Sequence, residues 1–431
     1  MRRAREAQAI GVRAQHRERP ISYTIALTYN LKRRLSERHG LPHDGDSEFD
    51  SQATIDMLVD SLRANGHTVH LVEATDELPQ WFLTHEVDLV FNIAEGTHGA
   101  HRESQVPAIL ESLGIPFTGS NSVTLALALD KAKTKQILAG EGIPTPPWQL
   151  FPTPTTRLNP RLEFPLIVKP NREGSSKGIW RESVVADEAA LSRQVARVYE
   201  RYRQEVLVEE FIDGKELTVG VVGDEALPIL EIDFDSCQAS GEFFYSWRMK
   251  EFQGDTDLGL SPRRHCPARL DAATTALLQT MALRAHRALG CDDVSRTDMR
   301  LRADGSPFVL EINPLPGLHP FDSNFPIMTS AAGLSHQAMI QRIVELAMAR
   351  YHRRPPASIL RSGPRSSSIE PGTRWSGSLA QDRPERGEAA SKDNGVETRT
   401  CPGSSADESR STVHPQEPAS SHRLVASRLA L

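Results

Sequence analysis

The chain has 431 residues and a mass of 47.7 kDa, with 39% hydrophobic and 25% charged residues and a formal net charge of −6. That length accommodates two or three domains with sizeable cores, and the mildly acidic total argues against nucleic acid as the main partner. No apolar run reaches membrane-spanning length, residues 1–19 lack the apolar centre of a secretory signal, and Cys237, Cys266, Cys291 and Cys401 have no metal-ligand spacing, so a cytoplasmic protein with no membrane partner is expected.

Residues 1–20 are rich in arginine and read as a flexible basic arm. From 21 to 143 the pattern predicts an N-terminal α/β substrate domain. A strand at 21–30 leads to a helix through Ile55, Leu58, Val59 and Leu62, with Ser51 as N-cap and Gly66 just past its end. Buried strands are predicted at 69–72 and 87–93, and this strand-helix-strand order feeds a parallel sheet. Ligands bind in loops after the carboxyl ends of such strands. Here that loop is 92–103, with Glu95, Gly96, His98, Gly99, His101 and Arg102. Metal, substrate contact and plain solvation compete for the two histidines, and solvation is the favoured reading. Gly114 ends a further helix, 115–118 reads as a short strand, and 124–140 reads as one or two helices carrying Lys131, Lys133 and Lys135. The proline-dense run after Gly142 places a domain junction near Pro144.

A central subdomain is predicted over 144–235. Its first apolar strand delivers Lys169, and the following loop contains Gly174, Ser175, Ser176 and Gly178. Such a loop can turn successive backbone N–H groups inward and cradle phosphate oxygens. A second strand from Ile179, a charged helix over 187–202 and an apolar strand ending in Glu209 and Glu210 come next. Glu216 follows the Asp213-Gly214 turn, and strands at 217–222 and 226–234 complete one antiparallel sheet.

The C-terminal subdomain, 236–352, opens with an aperiodic segment over 241–265 that carries Arg248, Lys250, Arg263 and Arg264. A loop this long in a compact domain reads as a lid. Leu270, Ala273, Leu277, Met281 and Leu289 mark an amphipathic helix ended by Gly290. The Asp304-Gly305 pair then turns a hairpin. A two-residue loop there sets Asp298 opposite Glu311 and Arg296 opposite Asn313. Directly opposed side chains lie about 4.5–5.5 Å apart at Cβ, so two carboxylates there repel unless a cation offsets them. Two readings stand: a Mg²⁺ site with oxygen ligands, or a salt-bridged hairpin in which Arg296 neutralises both acids. An apolar helix at 335–349 is followed by a Ser-, Pro- and Arg-rich tail, 353–431, whose composition predicts disorder.

In this order, the segments 129–135, 168–178, 208–212, 296–298 and 310–317 resemble the D-alanine–D-alanine ligase family of the ATP-grasp superfamily. The resemblance covers about 50–349. It implies an ATP-grasp fold of α/β and α+β character with an N-terminal parallel-sheet domain. The implied reaction is ATP-dependent ligation of a carboxylate to an amine through an acyl phosphate, on amino acids or a small peptide-like acceptor. Alternatives are D-alanyl-D-alanine synthesis for peptidoglycan and a catalytically silent ATP-binding regulator.

The resemblance assigns Lys131 and Lys169 to the α- and β-phosphates, and Ser175 and Ser176 to the loop over the triphosphate. It assigns Glu209, Glu210 and Ile212 to adenine and Glu216 to the ribose. Asp298, Glu311 and Asn313 would hold Mg²⁺ or Mn²⁺, Arg296 would stabilise the oxyanion, and Lys250 would approach the γ-phosphate from the lid. A homodimer is implied as well. The substrate end departs from the family. Glu95-Gly96 replaces a histidine-glycine pair in a loop two residues longer, Glu251-Phe252 replaces the lid tyrosine, Ser323 alone can match the carboxylate-binding serine, and Glu48 is the nearest match to the N-terminal glutamate.

Overall fold

The computed structural model describes residues 21–33, 44–252 and 257–353, so the expected basic arm and the tail from 354 lie outside the described residues. The first sheet is parallel, as its strand-helix-strand pattern requires. Its strands β1 (Thr24–Tyr29), β2 (Thr68–Glu73) and β3 (Leu89–Asn92) lie in the order β2-β1-β3. Between β1 and β2 runs α1 (Gln52–Ala64), where Ser51 Oγ accepts the Thr54 N–H at 3.2 Å and Gly66, at φ +92°, ends the turn. One expectation fails here: β2 is an edge strand with Thr68, His70 and Leu71 exposed. A seven-residue helix, α2 (Leu78–Thr84), was not read from the sequence because it is too short to show a period. The predicted strand at 115–118 is a single bridge between Val90 and Phe117.

After α3 (Gln105–Leu113), ended by left-handed Gly114, come two helices, α4 (Ser122–Leu129) and α5 (Lys131–Gly140). Asp130 separates them and caps the second by accepting the Lys133 N–H at 3.1 Å.

The single antiparallel sheet expected from the sequence is two sheets. One contains β4 (Trp148–Phe151), β5 (Leu166–Pro170), β6 (Val184–Val185) and β7 (Val206–Glu210) in the order β4-β7-β5-β6, with α6 (Glu188–Tyr202) packed on it. The strand expected from Ile179 is reduced to β6. The other sheet is built on β8 (Lys215–Val222), with the short β9 (Glu225–Ala226) folded against it. Around β8 lie β10 (Leu230–Asp233), β11 (Arg263–His265), β12 (Val294–Leu301) and β13 (Pro307–Asn313), in the order β11-β10-β8-β12-β13.

The lid segment contains α7 (Trp247–Glu251). Beyond it, α8 (Ala272–Leu289) buries Met281 and Leu289 as expected, together with Leu278, Ala282 and Ala285, but leaves Ala273 and Leu277 exposed, Leu278 taking the core position near the start of the helix. Two helices close the described chain, α9 (Asn324–Ala331) and α10 (His336–Arg353). They share a core with β1 and α1: Ile25, Leu27, Leu58 and Leu62 pack with Phe325, Met328, Met339 and Ile343. Chain order is therefore not spatial order, and the carboxyl ends of the parallel strands face the β12–β13 hairpin across one cavity. Among the described residues, no helix is long and apolar enough to cross a membrane.

Candidate active site

The β12–β13 hairpin sets the site, with Asp298 opposite Glu311 and Arg296 opposite Asn313. This register arises from two offsetting departures from a two-residue loop. The Arg302 N–H donates to Ser306 O at 3.0 Å around a three-residue loop with Gly305 at φ +86°, and near the turn Leu301 meets Pro307 and Met299 meets Val309. A β-bulge at Leu310 then takes up one residue and restores the pairing. A one-residue slip turns side chains to the opposite face, so this bulge aims Glu311 at the cavity together with Asp298.

Asp298 Oδ1 accepts from Thr218 Oγ1 at 2.6 Å and Arg296 Nε at 2.9 Å, while Oδ2 accepts from Arg296 Nη2 at 2.7 Å and Asn313 Nδ2 at 3.1 Å. Glu311 lies 3.4 Å from Lys131 Nζ. In this structure two cations therefore offset the opposed acids, Arg296 on Asp298 and Lys131 on Glu311. Arg296 does not pair with both, as a purely salt-bridged hairpin would require. Burial opposes ionisation of Glu311, but Lys131, Lys169, Arg296 and Lys250 outweigh it and hold the carboxyl down at about 2. Among the described residues no group of three or more His, Cys, Asp or Glu side chains could hold a metal ion. The donor set consists of two carboxylates and the Asn313 amide oxygen, all hard ligands that fit Mg²⁺ or Mn²⁺ with phosphate oxygens completing the shell.

Beside the hairpin, Ile167 on β5 pairs with Glu209 on β7, which puts Lys169, two residues along, on the face of Glu209. Lys169 and Lys135 both pair with this carboxylate, Lys135 at 2.7 Å. Lys135 is fully buried, one helical turn after Lys131 on α5, and also donates to Thr145 Oγ1 at 2.7 Å. Burial lowers its pKa to about 8 against the pull of Glu209. No role was assigned to Lys135 from the sequence, although its spacing from Lys131 was there to be read. Lys131 donates to Glu173 O at 2.5 Å, which ties α5 to the Gly/Ser loop.

In that loop Ser175 and Ser176 have φ of +50° and +57°. Two consecutive left-handed residues that are not glycine cost roughly 1–3 kcal/mol each, strain that concentrates at ligand clamps. Lys250 from α7 donates to Ser175 Oγ at 3.1 Å, Ser176 Oγ donates to Tyr245 O at 3.0 Å, and the Trp247 indole N–H donates to Ser47 Oγ at 2.8 Å. The lid thus rests on both the loop and the N-terminal segment. Toward β8, Arg300 donates to Glu216 Oε2 at 2.6 Å and to Ile212 O at 3.2 Å, and Glu210 Oε1 accepts the Glu163 N–H at 3.1 Å.

At the opposite end, Glu48 is held by Arg102 at 2.6–3.1 Å, by Lys177 at 2.8 Å and by the Gly174 N–H at 2.6 Å. Burial works against its ionisation, but Lys177 and Arg102 prevail and set it at about 2. Ser323 Oγ accepts the His319 N–H at 3.1 Å and would meet a Cβ on Gly317 at 2.8 Å. His98 and His101 are exposed, consistent with the solvated reading. The sixteen residues given a catalytic, nucleotide, metal or substrate role from the sequence all line one cavity of about 480 Å³.

The family model described as "D-ala D-ala ligase C-terminus" matches residues 137–345. A D-alanine–D-alanine ligase of Synechococcus sp. is 34% identical over 318 residues, 72% of this chain and 91% of the relative. The chain belongs to the D-alanine–D-alanine ligase family. A second relative of that name, from Nitratidesulfovibrio vulgaris, is 39% identical over 292 residues, 67% of this chain and 90% of its own length. The fold is ATP-grasp. The crystal structure of the Bacillus anthracis D-alanine–D-alanine ligase complexed with ATP superposes with a TM-score of 0.61 at 25% identity, covering 77% of this chain and 99% of that one.

Proposed function

We propose that this member of the D-alanine–D-alanine ligase family is an ATP-dependent carboxylate–amine ligase acting on amino acids or a small peptide-like acceptor. The observation that carries the reading is the convergence of the Gly/Ser loop, the lid lysine and the carboxylate hairpin on one cavity. ATP supplies the γ-phosphoryl group that turns a carboxylate into an acyl phosphate, from which an amine displaces phosphate. Mg²⁺ held by Asp298, Glu311 and Asn313 would neutralise phosphate charge.

The chain's own groups do the rest. Lys131 and Lys169 neutralise the inner phosphates, and Glu209 fixes Lys169 in place. The loop with Ser175 and Ser176 receives the triphosphate, and Lys250 approaches it from the lid. Glu210 and Ile212 border the adenine, and Glu216, oriented by Arg300, faces the ribose. Arg296 donates to the oxyanion that develops when the amine attacks. Lid contacts to Ser175 and Ser47 keep water from the acyl phosphate. Glu95 and Ser323 border the amino-acid end. Glu48, with its oxygens taken by Arg102 and Lys177, orders that end instead of meeting substrate directly. We further place the enzyme in the cytoplasm as a homodimer without nucleic-acid or membrane partners.

The test is ADP release by the full chain with ATP, Mg²⁺ and pairs of amino acids. Release should require both the metal and an acceptor amine, and Asp298→Ala should lower it about 1,000-fold, some 4 kcal/mol of lost charge stabilisation. Release that ignores metal and amine would overturn the reading.

A further inference from the structure

The end of the cavity reached from β3 has a surplus of negative charge. Asp50, next to the N-cap of α1, and Glu95 and Glu103, in the loop between β3 and α3, all line it. Among the described residues none of these three carboxyls has a hydrogen bond or an ion pair. Glu103 is the most enclosed, at 9% exposure.

Among the described residues four cations lie nearby, and none pairs with these acids: Lys131 is taken by Glu311, and Lys250, which feels Glu311 and Asp298 more strongly than Glu95, donates to Ser175 Oγ at 3.1 Å. Arg102 spends its guanidinium on Glu48, on Glu173 at 3.2 Å and on Arg172 O at 3.0 Å, while Lys177 holds Glu48 and Glu173. Arg102 and Lys177 therefore balance Glu48 and Glu173, two charges against two, and three carboxyls remain. Leaving ionised carboxylates buried without partners costs several kcal/mol each, so the site must either protonate them or receive a cation. Burial, with Glu48 adding to it, raises Glu103 to about 7, and burial alone brings Asp50 to the same value.

The loop itself is held firmly. Gly96 sits at φ +75°, donates its N–H to Asn30 Oδ1 at 2.9 Å, and leaves no room for a Cβ, which would meet Arg102 O at 2.3 Å. Glu95 and Glu103 are thus presented by a backbone packed against itself and fixed to Asn30, the residue just after β1.

We propose that this acidic end selects a substrate with a cationic side chain, so that the enzyme ligates a diamino or otherwise basic amino acid in preference to a neutral one. The proposal rests on the ligase reading above. A single α-ammonium neutralises one carboxylate of three, whereas a second amine, placed by its alkyl arm, neutralises another. Selectivity follows because a neutral side chain leaves the second acid protonated or unpaired, and binding then gains nothing from it.

The test is calorimetric binding of both enantiomers of lysine, ornithine, norleucine and alanine to the full chain with ADP and Mg²⁺ present. A basic amino acid should bind at least tenfold tighter than its neutral counterpart. Glu103→Gln should remove that advantage while ADP affinity stays within twofold, and Asp50→Asn provides a second variant should the first fail to fold. Equal binding of basic and neutral compounds, or a preference unchanged in both variants, would overturn the proposal. ADP release on the same panel separates the two readings. Basic amino acids bound tightly but never consumed would refute ligation and keep the subsite, whereas turnover of neutral amino acids alone would keep ligation and refute the subsite.

Discussion

At the end of the cavity built by β5, β7, β12 and β13, each acid is matched by a cation: Glu209 by Lys135 and Lys169, Glu216 by Arg300, Asp298 by Arg296 and Glu311 by Lys131. At the end built by the loop after β3, Glu48 and Glu173 are matched by Arg102 and Lys177, and Asp50, Glu95 and Glu103 stand without partners among the described residues. The nucleotide end thus leaves none of its four acids unmatched and carries a surplus of cations before any ligand arrives, so an anionic ligand exchanges one set of ion pairs for another. The opposite end is unbalanced, and its charge state depends on what binds.

The comparison breaks most visibly if one acid is neutralised at each end. Glu209→Gln leaves two buried lysines without their counter-ion and should destabilise the fold by about 3–5 kcal/mol in urea unfolding, whereas Glu103→Gln, which removes a surplus charge, should cost nothing or stabilise. Equal losses at both ends would erase the distinction.

The pH dependence of stability sharpens it. Glu103 and Asp50, raised to about 7, bind protons in the folded chain that the unfolded chain has released by then. Stability of the ligand-free protein should fall as pH rises from about 4 through 7, by on the order of 3 kcal/mol per group. Glu311 and Glu48, held at about 2, have the opposite sign: their stabilisation is complete above about 4.5 and is lost as pH falls toward 2. Urea midpoints measured across this range should show both limbs, and Glu103→Gln should lessen only the upper one, leaving the part due to Asp50.

The smallest effect concerns the ion pair that links the lid to the N-terminal segment, Lys32 Nζ to Glu251 at 2.9 Å. It is partly exposed, so Glu251→Gln should cost about 0.2–1 kcal/mol at low salt and nothing measurable at 1 M salt, read as thermal midpoints.

The nucleotide end was legible because its parts are local: a lysine at a strand end, a Gly/Ser loop, paired acids after a strand, an Asp-Gly hairpin. Even so, the hairpin register came out right through a longer loop and a bulge that cancel, and no spacing rule reveals such a pair of deviations. What stayed hidden depends on distant residues meeting. The Lys135–Glu209 pair joins positions far apart in the chain, as does the hold of Arg102 and Lys177 on Glu48. The division of one expected sheet into two turns on which strand β8 chooses as neighbour. Helices α2 and α9, with seven and eight residues, are too short for periodicity to register. Leu277 and Leu278 are adjacent apolar residues, and only packing decides which faces the core.

The account turns on the opposed carboxylates of β12 and β13 holding a divalent ion that ties the nucleotide to the cavity. Calorimetry with a non-hydrolysable ATP analogue tests this most directly, run with Mg²⁺ and again with chelator, on the full chain and on Asp298→Ala. Binding at least tenfold tighter with Mg²⁺, and a difference that vanishes in the variant, is the predicted result; equal affinity with and without the metal would contradict it.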